Sequence, residues 1–331
     1  MQKYKKFLVL AAIFVTACSQ NAQQAVQMEY ARWFSVTADG RPVLLHPDGG
    51  PADTLQPAAR LVCMSSSYVG YLDAIGAVDA AVGVSGLAFL GNPAVKAAEV
   101  GYDAALDYET VARLRPDLFL TYSVSGAEPP SLAKLRELGI RVAVLSEHLE
   151  NHPLARAEYV KFFGALTGRQ AQADSVFSAV RDRYLSLVQP EPLSKVLVNI
   201  PYADQWFIPG GDNYMTRLIR DAGGEVLGAV PGRQASSVID LETAYQYAWE
   251  ADFWLHPGWC RTKAQLRGIH PLFAHFPVLE KEVWNNTLQT TPGGGNRYWE
   301  TGPVRPDLVL EDLTRIISGS KGAMHYYIPV E

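Results

Sequence analysis

"LDYETVARLRPDLFL", residues 106–120, reads as a helix followed by a strand. Asp107 stands where an N-cap belongs, Glu109 follows two places later, and Pro116 stops the helix before an apolar run begins. "IDLETAYQYAWEADFWL", residues 239–255, repeats the device: Asp240 caps, Glu242 follows two places on, and an Asp-led apolar strand ends the unit. Two copies of one helix–strand device predict two similarly built α/β lobes.

The surrounding sequence extends that pattern. From Arg60 short apolar runs ("RLVCMS", "AAVGVSG", "DLFLTY", "RVAVLSE") alternate with helical stretches ("YLDAIGA", "SLAKLRELGI"), as a parallel sheet requires. The order restarts after Pro190 with the strand "KVLVNI", the helix "NYMTRLIRDAGG", "EVLGAV" and "DFWLHPGW", and residues 306–317 form a closing helix. Residues 153–188 are helical with a break near Thr167–Gly168. The second part places Ala173, Val176, Phe177, Val180, Tyr184 and Leu187 on one face. At 1.5 Å per residue about twenty such residues span roughly 30 Å, enough to cross between lobes. Before the lobes, "WFSVTADGRPVLL" (33–45) alternates around an Asp39–Gly40 turn and reads as a hairpin.

The chain of 331 residues is 48% hydrophobic and 19% charged, enough for a sizeable core and two lobes. Formal net charge is −5, and it falls further without residues 1–17, which hold Lys3, Lys5 and Lys6 and no acid. That balance argues against a nucleic-acid partner. Residues 1–17 have the basic head and short apolar run of a signal peptide. "VTAC" resembles a bacterial lipobox, which implies cleavage before Cys18 and its lipidation. Residues 19–27 are a polar tether. Cys63 and Cys260 remain, either as a disulfide pinning the two halves or, the better reading, as buried free thiols.

Several motifs occur in one order: "RLVCMSSSYVGYLDAIGA", "VGVSG", "YETVARLRPDLFL", "HPLARAEYVKFFGALTG", "WFIPGG", "LIRDAGG", "SSVIDLETA" and "RYWETGPVRPDLVLEDL". Together they resemble the substrate-binding lipoproteins of ABC importers for ferric siderophores, haem and vitamin B12, from about Arg60 to the end. The resemblance implies a fold class of two similar α/β lobes joined by a single long helix, with a cleft between them. Here an N-terminal β-hairpin extension is added. The expected organisation is 1–17 signal peptide, 18–29 lipidated tether, 30–59 hairpin extension, 60–166 N-terminal lobe, 167–190 inter-lobe helix and 191–331 C-terminal lobe. The resemblance also implies that Glu109 and Glu242 are exposed acids that dock on the two permease subunits. A local role at the helix N-terminus is the plainer alternative.

Ligands of such proteins gather beyond the carboxyl ends of strands. The segments there are rich in Tyr, Trp and Ser, and six of the seven tryptophans follow residue 200. Candidate ligand-binding residues are Tyr68 and Tyr122 in the first lobe and Trp206, Trp259, Arg261, Trp284, Arg297 and Trp299 in the second. Trp249 and Trp254 lie inside regular elements and read as core. Arginine beside tryptophan suits a planar or multi-ring anion. "TPGGGNRYWETG" lacks the Lys-Ser/Thr of a phosphate loop and reads as a mobile loop over the cleft.

No nucleophile elbow, His-Glu-x-x-His or Cys-x-x-Cys occurs, so no catalytic residue is assigned. The histidines (His46, His148, His152, His256, His270, His275, His325) form no metal-spaced pair on a helix. His256, ending the "DFWLH" strand, is expected to face the cleft and either ligate a haem iron or bond a backbone group. The expected ligand is a ferric siderophore or haem, with cobalamin as the alternative and a bare zinc or manganese ion as another class. No cofactor is expected. The expected partners are an ABC permease dimer with its ATPase and a membrane reached through the lipid anchor. The expected protein is a monomer in the periplasm.

Overall fold

Leu61–Cys63 has no accessible surface and forms the central strand, β5, of a five-stranded parallel sheet. A computed structural model describes residues 25–123, 130–191, 194–203 and 205–331. The expected signal peptide and Cys18 lie outside these. Ahead of β5 run β1 (Ala25–Val26), β2 (Phe34–Thr37), β3 (Pro42–Leu44) and β4 (Asp53–Thr54), an antiparallel meander. The expected hairpin is its centre: Gly40 turns at φ 85° between β2 and β3. The meander is wider than the sequence suggests, because Ala25–Val26 of the expected tether already pairs with Val36–Thr37.

The first lobe continues with β6 (Ala81–Val84), β7 (Ala98–Glu99), β8 (Leu118–Tyr122) and β9 (Val142–Leu145), in the order β7-β6-β5-β8-β9. Helix α1 (Ser66–Ala74) packs on one face. On the other, α2 (Tyr108–Leu114) and α3 (Pro130–Glu137) cover a separate cluster that includes Val62, Val111, Phe119 and Leu135. Asp107 caps α2 by accepting from Thr110 N–H at 2.9 Å.

Two helices follow, divided at the break expected near Thr167–Gly168. Helix α4 (Pro153–Thr167) ends where Gly168 takes a left-handed φ of 70°, and α5 (Gln170–Leu187) turns back along it to reach the second lobe. The stripe expected on α5 is buried at Ala173, Phe177, Val180 and Tyr184.

The second lobe contains β10 (Ser194–Val198), β11 (Trp206–Ile208), β12 (Gly224–Val226), β13 (Ser237–Ile239), β14 (Phe253–Leu255), β15 (Glu282–Asn285) and β16 (Ile328–Pro329). Its main sheet has the order β12-β10-β14-β15-β16, parallel except for β16, while β11 and β13 form a small antiparallel pair. The helices are α6 (Tyr214–Asp221), α7 (Leu241–Glu250), α8 (Lys263–Ile269), α9 (Arg297–Thr301) and α10 (Pro306–Ser318). Asp240 caps α7 through Thr243 N–H at 2.8 Å. Cys63 and Cys260 are separate buried thiols, and burial pushes Cys63 up to about 12.

One buried and one half-buried histidine tie stability to pH. Burial holds His256 down at about 4. His152 is also at about 4, through burial and then the neighbouring Arg217 charge. Both stay neutral in the folded chain, whereas unfolded histidine titrates near pH 6.5. As pH falls below about 6.5 the unfolded chain takes up these protons first. Each site therefore lowers stability by up to about 3 kcal/mol, a loss complete near the folded value of about 4. Asn tolerates the left-handed backbone at 256, where φ is 59°. Urea or thermal unfolding of His256→Asn should lose stability less steeply between pH 6.5 and 4 than the wild-type chain. Identical slopes would remove His256 from the account.

Candidate functional site

Both main sheets reverse their strand order at an internal point, between β5 and β8 in the first lobe and between β10 and β14 in the second. A crevice opens beyond the carboxyl ends of strands at such points. Tyr122 ends β8, half-buried, with its ring 6.1 Å from His148. Burial and then Asp103 raise its pKa. Beyond β6 and β7, Phe89 and Tyr102 are exposed, their rings 6.5 Å apart. Beyond β10 and β14, Tyr202 is 81% and Trp259 66% exposed on neighbouring turns, joined where the Ile200 side chain meets Gly258.

Residues 291–301 fasten the second lobe to the first. Thr291 Oγ1 donates to the Phe89 carbonyl at 3.4 Å and receives Gly295 N–H at 2.9 Å. Gly293 and Gly295 lie so close to the Ala88 and Phe89 carbonyls that an added Cβ would stand 1.9 Å away in either case. The buried Glu300 carboxylate accepts Gly91 N–H at 2.8 Å. Burial raises its pKa, and that hydrogen bond opposes the rise. Behind it, α9 crosses α1 where a Cβ on Gly70 would lie 2.0 Å from the Glu300 carbonyl oxygen. The glycine-rich stretch is thus a clasp seated on the first lobe, in place of the expected mobile loop.

The structure sorts the candidate residues. Tyr68 and Trp206 have no accessible surface and are core. The Tyr68 hydroxyl donates to the Thr121 carbonyl at 3.1 Å, and the Trp206 indole to the Val198 carbonyl at 2.8 Å. Trp206 joins Trp254, Phe273 and Phe276 in one aromatic cluster, so apolar burial overrode its place after a strand. Trp284 lies within β15, half-buried, its indole donating to Glu282 at 3.0 Å beside the C-terminal end of α10, away from the strand ends. Arg261 is exposed in a hollow with Leu288 and Pro329. Arg297 lays its methylenes against Gly91 as part of the clasp, and Trp299 is half-exposed at the seam between lobes.

Trp249, expected in the core, is 62% exposed, because Ala244 and Ala248 form the buried face of α7. His256 is buried, and its Nε2 meets the Tyr327 hydroxyl at 2.5 Å. Its ring partner is thus a side chain in place of the backbone group expected. Among the described residues, no group of three or more His, Cys, Asp or Glu is placed to hold a metal ion.

Glu109 and Glu242 occupy the same helical position, the second residue after the cap, on α2 and α7. Each helix runs back toward the start of the strand that follows it, so each N-terminus lies at the carboxyl-end rim of its sheet. Both carboxylates are exposed, and neither has a hydrogen bond or ion pair among the described residues.

Sequence reasoning missed Arg156. This 10%-exposed side chain lies 3.6 Å from the Glu147 carboxylate with its guanidinium 4.4 Å over the Tyr214 ring. Burial raises the Glu147 carboxyl, but the His148 and Arg156 contacts win and hold it below its ordinary value. Nothing local marks Arg156, since its partner ring comes from the other lobe.

The family model described as Periplasmic binding protein matches residues 61–280. A curated relative, an uncharacterized lipoprotein of Methanocaldococcus jannaschii, is 26% identical over 278 residues, 79% of this chain and 65% of its own length. The chain therefore spans just under two thirds of that relative. Among solved structures, a periplasmic haem-binding protein from Pseudomonas aeruginosa aligns with TM-score 0.62 at 20% identity, covering 83% of this chain and 98% of that one. The periplasmic vitamin B12-binding protein of Vibrio cholerae aligns with TM-score 0.57 at 17% identity, covering 81% and 99%. These likenesses are of fold.

The clasp yields a direct test. Gly295→Ala forces the strap off the Phe89 carbonyl and should cost about 1–3 kcal/mol, read as a lower melting temperature with faster proteolytic cleavage within 287–297. Unchanged melting and cleavage would show that the strap does not hold the lobes.

Proposed function

Because the chain belongs to the periplasmic binding protein family, we propose that it is an extracytoplasmic substrate-binding lipoprotein. It captures an iron chelate, a ferric siderophore or haem, and delivers it to an ABC importer permease. The observation that carries the delivery step is the pair Glu109 and Glu242: two unpaired, exposed carboxylates at one helical position, each on the rim of its own lobe. A helix N-terminus stabilises an acid by roughly 0.3–1 kcal/mol wherever it stands. That local effect does not account for a matched pair on the two lobes, whereas a permease with two similar subunits does.

The capture step is supported by exposed aromatic side chains at strand ends, Phe89 and Tyr102 on one lobe and Tyr202, Trp259 and Trp299 on the other. Flat rings of this kind suit a large conjugated or chelated cargo. Corrinoid cargo is the second reading, favoured by the similar likeness to a vitamin B12-binding protein. Anchoring through Cys18 agrees with the lipoprotein relative. A carrier of this kind performs no catalysis.

Glu109→Ala with Glu242→Ala should leave cargo affinity, measured by absorbance titration with haem and ferric siderophores, within about twofold of wild type. Uptake of the same cargo by cells carrying the matching permease should fall to background. Normal uptake by the double variant would overturn the docking role.

A further inference from the structure

The guanidinium of Arg156 is the least satisfied charge described in the interior. Nε is buried without a hydrogen-bond partner, and none of its nitrogens donates a hydrogen bond among the described residues. The Glu147 oxygen at 3.6 Å is beyond hydrogen-bond length, and that carboxylate already accepts from Ser67 Oγ at 3.3 Å and His148 N–H at 3.0 Å. With Nε enclosed and the terminal nitrogens barely exposed, this forked cation is poorly solvated and gains when a group arrives to accept from it.

It lines a cavity at the seam between the lobes, with Tyr214, Leu218, Tyr298, Trp299 and Pro303. The space open to the centre of a water-sized group is about 20 Å³, more than a single water position and enough for the two oxygens of a carboxylate head. Pro153, Tyr214 and Pro306, the first residues of α4, α6 and α10, also border it, so three helix N-termini direct their positive ends there. Half-exposed Trp299 forms its edge, open to solvent. We propose that this cavity is a carboxylate-receiving subsite, in which Arg156 binds one carboxylate of the cargo while the body of the cargo rests outside against Trp299. The small volume suits a planar carboxylate head better than a tetrahedral phosphate, and the fork of Arg156 matches it.

That the carboxylate belongs to a cargo rests on the transport reading; the preference of the cavity for a carboxylate does not. On both together the cargo is a chelate with peripheral carboxylates, such as iron protoporphyrin or a citrate-type ferric siderophore, and not a corrinoid whose side chains are amides.

The test has two arms on the full chain. In the first, acetate should raise the melting temperature above that in acetamide at constant ionic strength. Glu147→Gln with Arg156→Gln, which leaves no lone buried charge, should abolish the difference, and Arg156→Lys should retain part of it. Equal responses to acetate and acetamide, or a difference that survives in the double variant, would overturn the subsite. In the second arm, iron protoporphyrin IX should bind at least about tenfold tighter than its dimethyl ester, with the preference lost in the double variant. Equal affinity for acid and ester overturns the assignment of the subsite to cargo. If acid and ester both fail to bind while acetate still discriminates, the subsite stands and haem is excluded as the cargo.

Discussion

Helix α4 has almost no face in water, and the layers of the molecule are assembled on it. Phe163 stacks on Tyr71 of the first lobe at 5.2 Å, Tyr159 and Phe162 meet Phe34 of the meander, Arg156 reaches Tyr214 of the second lobe, and α5 runs back along its length. A helix buried all round must find partners for every polar group it carries. Glu158, fully buried, does so by accepting the backbone N–H groups of Glu29, Tyr30 and Ala31 and an ion pair from Lys161. Glu150, just before the helix, accepts from Arg32 and Trp33 N–H. Burial raises its pKa, and those bonds counter the rise. The meander is therefore the part that makes a buried acidic helix affordable. Truncating any of Tyr159, Phe162 or Phe163 to Ala would cost about 3–5 kcal/mol.

The architecture was legible because its signals are local. Asp107 and Asp240 cap helices, Gly168 ends one, and the apolar runs are strands, each decided within a few residues of sequence. What failed to show depended on distant contacts. Trp206 and Trp299 both sit at element ends, yet one closes an aromatic core and the other borders solvent, a difference set by Trp254 and Phe276 packing over the first. Trp249 and Trp254 both sit inside regular elements, and only the alanines on the inner face of α7 reveal that Trp249 turns outward. Arg156 lies in a helical run where arginine is unremarkable, and its meaning comes from Tyr214, far away in the chain.

The glycines of the clasp were visible in the sequence, but their purpose was not. Glycine-rich stretches usually read as freedom, since Gly populates conformations closed to other residues. Here Gly70, Gly293 and Gly295 serve close approach: backbone lies on backbone at three places between the lobes, with no space for a methyl group. A rigid-body opening of the lobes would have to break those contacts together with the Gly91–Glu300 bond, whose acceptor is buried. On the transport reading, cargo is taken up on a surface already assembled. On that reading recognition falls to exposed strand-end side chains such as Tyr202 and Trp259, and Arg156, whose guanidinium donates no hydrogen bond among the described residues, is the proposed group whose state a bound ligand changes.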